Sequence, residues 1–226
     1  MSVLYLPTVS SLRSDCEALT TIYEVRGYID RGAYGKVHQA CRKGTLDCGY
    51  VLKIIKYDHQ LYLDSGQTKA SIEDVYRDWE NEVEVMSRLN EAQTSLRVIF
   101  SPTLHDSWYC RKGEDVEFYI LMEKYEGDLR YLIRTVRDRD PITKAFLIQT
   151  LRLMQANLII IHNTCKICLN DIKLSNILYR ITPKGEFQFV FAEFGKSMLD
   201  SDQDCIIRDQ EHFNRNVESF ISSINS

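Results

Sequence analysis

The sequence predicts an α+β protein in which strands dominate the first half and helices the second. Three observations carry this. Residues 23–57 hold runs rich in β-branched and aromatic side chains, broken by glycine-bearing turns. Residues 143–161 carry a long apolar stripe at helical spacing, and Phe213, Val217, Phe220, Ile221 and Ile224 repeat that spacing near the end. With 226 residues, 44% of them hydrophobic, the chain has enough apolar surface for one sizeable domain or two small ones.

Charge and termini narrow the function classes. A net charge of −4 provides no basic footprint, so no nucleic-acid partner is expected. The longest aliphatic run, residues 158–161, is far short of a membrane span, so no membrane is expected. Residues 1–20 read as a leader or short extra element; they lack a basic stretch followed by an apolar core, which leads us to expect an intracellular protein, cytoplasmic or nuclear. Of seven cysteines, Cys165 and Cys168 form C-x-x-C, but Cys41 and Cys48 make no matching second pair. A four-ligand zinc site is therefore not expected, and the cysteines read as free thiols.

The elements follow in order. Residues 23–40 read as two strands around the tight loop RGAYG, and residues 48–57 as a third strand with Lys53 embedded among apolar neighbours. A lysine in such a strand either pairs with an anion or faces solvent from an edge. Residues 58–71 are polar and read as a loop. Ile72, Val75, Trp79, Val83, Met86 and Leu89 then mark a helix whose acidic residues include Glu80, Glu82 and Glu84. Two strands are expected within residues 96–108 and 117–125, with Gly127, Asp128 and Leu129 opening a helix. The 143–161 helix presents Leu147, Leu151, Met154, Leu158 and Ile161 on one stripe. A hairpin is expected from residues 177–181 and 187–191, across the turn at residues 182–185.

Between that helix and that hairpin lies LNDIKLSNILY, residues 169–179. Asp171, Lys173 and Asn176 put a carboxylate, an ammonium and an amide oxygen within six residues. Phosphoryl transfer needs those three chemistries: a base for the hydroxyl, a counter-charge for phosphate and a donor for magnesium.

Taken together and in order, these motifs resemble those of the eukaryotic-type protein kinases over roughly residues 23–200. Gly32, Gly35 and Val37 match the end of a Gly-rich loop, with Asp30 at its first glycine position. Lys53 matches the strand lysine, Glu82 best fits the helix glutamate with Glu80 and Glu84 as competitors, and Asp171, Lys173 and Asn176 match the catalytic loop. Glu193-Phe194-Gly195 stands where such kinases carry Asp-Phe-Gly.

The resemblance implies a two-lobed fold: residues 21–122 as a nucleotide-binding lobe of antiparallel sheet plus one helix, and residues 123–226 as a reduced, mainly helical lobe. It implies ATP with Mg2+, or Mn2+, as cofactors. Gly32, Gly35, Val37, Met122, Glu123 and Tyr125 would line the nucleotide, and Lys53 would hold its phosphates with Glu82 fixing the ammonium. Asp171 and Lys173 would act at the transferring group, and Asn176 and Glu193 would hold the metal. The activity implied is transfer to protein Ser/Thr hydroxyls by a monomer or a partner-bound chain, the alternative being a pseudokinase that binds nucleotide and regulates a partner.

Three departures stand out. Glu193 is one methylene longer than aspartate. Asn170 replaces the arginine that would answer a phosphorylated activation loop. Only 31 residues follow Gly195, with no A-P-E among them. A pared-down kinase, comparable in economy to the RIO type, is the expectation.

Overall fold

The computed structural model describes residues 22–32, 35–65, 69–136 and 139–225. The expected leader at residues 1–20, Ala33 and Tyr34 of the RGAYG stretch, and Gly66 lie outside the described residues. The protein is α+β, with a five-stranded antiparallel sheet and several helices. It divides into two compact units, Met1–Trp79 with Leu104–Glu123, and Glu80–Thr103 with Lys124–Ser226.

The first unit is built on β1 (Tyr23–Gly32), β2 (Gly35–Arg42), β3 (Tyr50–Tyr57), β4 (Leu104–Lys112) and β5 (Asp115–Glu123). Their order is β1-β2-β3-β5-β4, every pair antiparallel. Side chains alternate across a strand, so one face collects Leu52, Trp108, Tyr119 and Leu121, buried with Ala40 and Cys110. Trp108 stacks on Tyr119 at 5.2 Å between ring centroids. The Tyr119 hydroxyl donates to Glu117 at 2.5 Å, and burial together with that carboxylate pushes its pKa well above the usual phenol value.

On the opposite face Phe118 and Tyr109 meet Tyr76 and Trp79 from the first turns of α2 (Ile72–Leu96). The Trp79 indole donates to the Tyr119 carbonyl at 3.2 Å, satisfying the one polar atom of a buried ring.

Two expectations for this unit are corrected. Residues 58–71 do not form only a loop: Asp58 accepts the Leu61 N–H at 2.9 Å and caps a short helix, α1 (His59–Asp64). Among the described residues the sheet is thus accompanied by α1 as well as by the start of α2. Cys41 and Cys48 are not free thiols but form a disulfide closing the β2–β3 connection.

The second unit contains the rest of α2, β6 (Gly127–Asp128), α3 (Leu129–Val136), α4 (Pro141–Ile160), β7 (Ile167–Cys168), β8 (Ile177–Ile181), β9 (Phe187–Phe191), β10 (Met198–Leu199) and α5 (Gln203–Asn225). Asp140 caps α4 by accepting the Ile142 and Thr143 N–H groups, each at 3.0 Å, and Pro141 occupies the first turn. The Thr143 hydroxyl, donating to Asp140 Oδ2 at 2.6 Å, and these backbone N–H groups hold its carboxyl below the ordinary range.

Leu147, Leu151, Met154, Leu158 and Ile161 are buried, as their spacing requires, where α4 packs on α5 and β9. The hairpin β8–β9 has its predicted bounds, turning at Gly185 with a φ of 81° that suits glycine. The final helix begins earlier than Phe213: its buried stripe runs Cys205, Asp209, Phe213, Val217, Phe220 and Ile224.

Candidate functional site

The residues singled out from the sequence fall in both units, and each set has its own geometry. In the first unit Val37 pairs with Lys53 across β2 and β3, and Lys53 with Ile120 across β3 and β5. Residues directly opposite on an antiparallel pair project to the same side. Lys53 is therefore on the face that carries Phe118, and it is fully buried rather than solvent-facing at an edge. Asp30 pairs with Val37 and extends the same row into β1. Met122 and Glu123 close β5 and are half-buried, and the unit boundary follows directly after Glu123.

Gly32 and Gly35 face each other as the last pair of β1 and β2, where the one strand leads into the other. A Cβ on Gly35 would lie 2.5 Å from the Ile54 carbonyl oxygen, a clash with backbone. Close approach of β3 therefore explains this glycine without any phosphate. Gly35→Ala is expected to lower unfolding stability by roughly 1–3 kcal/mol through forced backbone shift. An unchanged urea midpoint would show that β3 yields.

In the second unit α4 runs through a π-turn, Ile161–Cys165, to Lys166, whose φ of 57° reverses the chain into β7. The next residues form a knot. Asp171 Oδ2 accepts Lys173 Nζ at 2.8 Å and Asn176 Nδ2 at 3.1 Å, and Asn176 Nδ2 also donates to the Asp171 carbonyl at 2.9 Å. The amide nitrogen of the buried Asn176 is spent on Asp171, so its oxygen, which accepts only Ser175 Oγ at 3.2 Å, is the group left to face a cation. Lys196 Nζ lies 4.0 Å from Asp171 Oδ2, a second cation the sequence reading missed.

The hairpin brings Glu193 to the same place along the chain. Ile177 pairs with Phe191 and the Asn176 carbonyl accepts the Ala192 N–H at 2.9 Å, so Asn176 and Glu193 flank one end of β8–β9. Glu193 sits at a φ of 64°, a left-handed conformation that asparagine and aspartate tolerate better than glutamate.

What holds the loop is α5. The fully buried Asp209 accepts the Leu169 N–H at 2.6 Å, the Asn170 N–H at 2.8 Å, and His162 Nε2 at 3.0 Å. Two turns later Asn216 accepts the Leu174 N–H at 3.0 Å and donates to the Ile172 carbonyl at 3.1 Å. One helix face thus grips the loop on both sides of Asp171. Asn170, in place of an arginine, adopts a φ of 58° and donates to the Lys196 carbonyl at 3.2 Å. Asn81 Nδ2 donates to the Ser197 carbonyl at 2.8 Å, tying α2 to the segment after Glu193.

The Nδ1 of His162 has no hydrogen-bond partner among the described residues. The proton therefore belongs on Nε2, facing Asp209, because a buried N–H left unbonded costs more than an unbonded acceptor. The sequence reading missed the role of Asp209: a carboxylate four residues before Phe213 says nothing of the loop residues it grips.

His162, Cys168 and Asp209 bring potential ligand atoms within 4.8 Å of one another. Cys168 is bonded to Cys205, however, and Asp209 is satisfied by three N–H donors, so this cluster is a structural knot. The C-x-x-C partner Cys165 stays a free thiol whose pKa burial raises. Tyr125 is buried, its ring 4.9 Å from the Arg180 guanidinium. Glu82 is buried on α2. A separate cleft of about 480 Å³, walled by Tyr131, Tyr179 and Phe187, includes none of the loop residues.

Compared with models of known protein families and with curated protein sequences, the chain has no match.

Proposed function

We propose that this chain is a reduced, two-lobed protein-kinase-like phosphotransferase, transferring the γ-phosphate of ATP to protein Ser/Thr hydroxyls. The observation that carries the proposal is the loop at residues 169–176. A carboxylate, an ammonium and an amide oxygen converge there, and α5 grips the loop from behind through Asp209 and Asn216.

In this reading Asp171 orients the incoming hydroxyl and accepts its proton, while Lys173 offsets charge on the moving phosphoryl group. Asn176 and Glu193 supply oxygen donors suited to Mg2+ at one end of the hairpin. When bound, the ion would supply positive charge against the phosphates. The fully buried Lys53 keeps its charge only beside an anion, which suits a role toward the nucleotide, and the buried Glu82 keeps its proposed supporting role. Gly32, Gly35, Val37, Met122, Glu123 and Tyr125 remain proposed nucleotide contacts.

A second reading, a pseudokinase that binds nucleotide and regulates a partner, is favoured by Glu193, which stands where an aspartate is expected and sits at a left-handed φ of 64°. The expected intracellular placement is opposed by the Cys41–Cys48 and Cys168–Cys205 disulfides, since such bonds persist in oxidising surroundings.

The deciding experiment incubates the purified chain with labelled ATP and Mg2+ or Mn2+, with itself and general protein substrates as acceptors. Label on Ser or Thr supports the transferase. ATP that raises the melting temperature without transfer, in wild type and in Glu193→Asp alike, supports the pseudokinase. Neither transfer nor a thermal shift would overturn both readings.

A further inference from the structure

The sheet of the first unit has two faces, and both of the unit's described helices lie on the same one. Tyr76 and Trp79 of α2 meet Tyr109 and Phe118 there, and Tyr62 of α1 meets Tyr57. Tyr57 pairs with Val116, two residues from Phe118, so it projects to the same side. The other face carries Ala40, Leu52, Trp108, Cys110, Tyr119 and Leu121.

Although neither helix lies over it, this second face is dry. Ala40, Leu52 and Leu121 expose no surface, and Cys110, Trp108 and Tyr119 only 3%, 5% and 7%. Neighbouring strands shield one another edge to edge and not from above, so a buried sheet face needs a second layer. That layer has to come from elsewhere in the chain.

The cysteines identify the segment. There are seven: Cys16, Cys41, Cys48, Cys110, Cys165, Cys168 and Cys205. Cys110, in the middle of this face, is disulfide-bonded. Cys41 is bonded to Cys48, Cys168 to Cys205, and Cys165 keeps its thiol. Within one chain only Cys16 is left to pair with Cys110. The residues ahead of Cys16 suit an apolar face, because residues 1–12, MSVLYLPTVSSL, carry no charged side chain.

We infer that Cys16 is bonded to Cys110, and that the apolar segment ahead of Cys16 forms the second layer on this face. The stretch expected as a leader is then a structural part of the first unit, on the side away from Lys53. This holds whether or not the chain transfers phosphate. The bond closes a loop of 94 residues, 110 less 16, against 7 for Cys41–Cys48 and 37 for Cys168–Cys205. A cross-link over a longer loop removes more freedom from the unfolded chain, so stability depends on this bond most.

The test is disulfide mapping of the full chain, thiol-blocked and unreduced. Trypsin cuts after Arg13, Arg26, Arg97 and Arg111, so mass spectrometry is expected to find residues 14–26 joined to residues 98–111. The intact protein should run as a monomer on an unreduced denaturing gel. Cys16→Ser is expected to lower the melting temperature by about 5–15 °C, more than Cys48→Ser does. Cys16→Ser combined with Cys110→Ser should melt no lower than Cys110→Ser alone, since both remove one bond. With Val3, Leu4, Tyr5 and Leu6 all changed to serine, Trp108 should open to solvent. Iodide would then quench about half of the tryptophan fluorescence, because Trp108 is one of two tryptophans and Trp79 lies on the other face. Cys110 recovered as a blocked free thiol, or linked to any residue but Cys16, would overturn the bond. Quenching as low as in wild type in the serine variant, with the bond intact, would overturn the cover.

Discussion

Asp171→Asn is expected to reduce phosphate transfer by about 10²–10⁴-fold while leaving the fold intact, the range a positioned general base contributes. Asparagine keeps the size of the side chain and one acceptor oxygen, so Asn176 Nδ2 can still reach residue 171 and the bond to the residue 171 carbonyl is untouched. What disappears is the negative charge that draws Lys173 Nζ to 2.8 Å and that, in the proposed transferase, would receive the hydroxyl proton. Asp171 and its partner Lys173 are both partly exposed, so the ion pair adds little to stability. The check is a single-turnover transfer assay beside a thermal melt of both proteins. Equal transfer by wild type and variant would remove Asp171 from the chemistry.

Asp209→Ala should have the largest effect on stability, a loss of roughly 3–5 kcal/mol, the cost of breaking a buried charged network on one side. Three donors lose their acceptor together: the Leu169 and Asn170 N–H groups and His162 Nε2. The Leu169 N–H and His162 cannot turn to water, because both residues and Asp209 are buried. Asp209→Asn should cost less, since its oxygen can keep one of the backbone donors. Urea denaturation of the three proteins measures the difference. A variant with alanine as stable as wild type would mean that the loop is held by Asn216 and the β7–β10 pair instead.

How much of this was legible in advance depended on the range of the interaction involved. The bounds of β8 and β9, the inner stripe of α4 and the alternation in β3 rest on local patterns: period two, period 3.6 and a Pro-Lys-Gly turn. Those patterns dictate which backbone conformation buries the apolar side chains, whatever lies nearby. Asp171, Lys173 and Asn176 were legible for the same reason, being six residues apart at most.

Asp209, Asn216 and Lys196 were not, because each acts on residues 25 to 47 positions away and no local rule marks them. Tertiary structure also turned Gly35 from a phosphate-loop signature into a packing requirement at Ile54, and the expected free thiols Cys41, Cys48, Cys168 and Cys205 into disulfides. The α4 helix shows the same division. Spacing sets one apolar stripe, with Lys144, Gln149, Arg152 and Gln155 on other faces, but only the packing of Leu147, Leu151, Met154 and Leu158 against α5 and β9 shows what covers it. Spacing within a helix marks the stripe to be buried, and the neighbour that buries it comes from further along the chain.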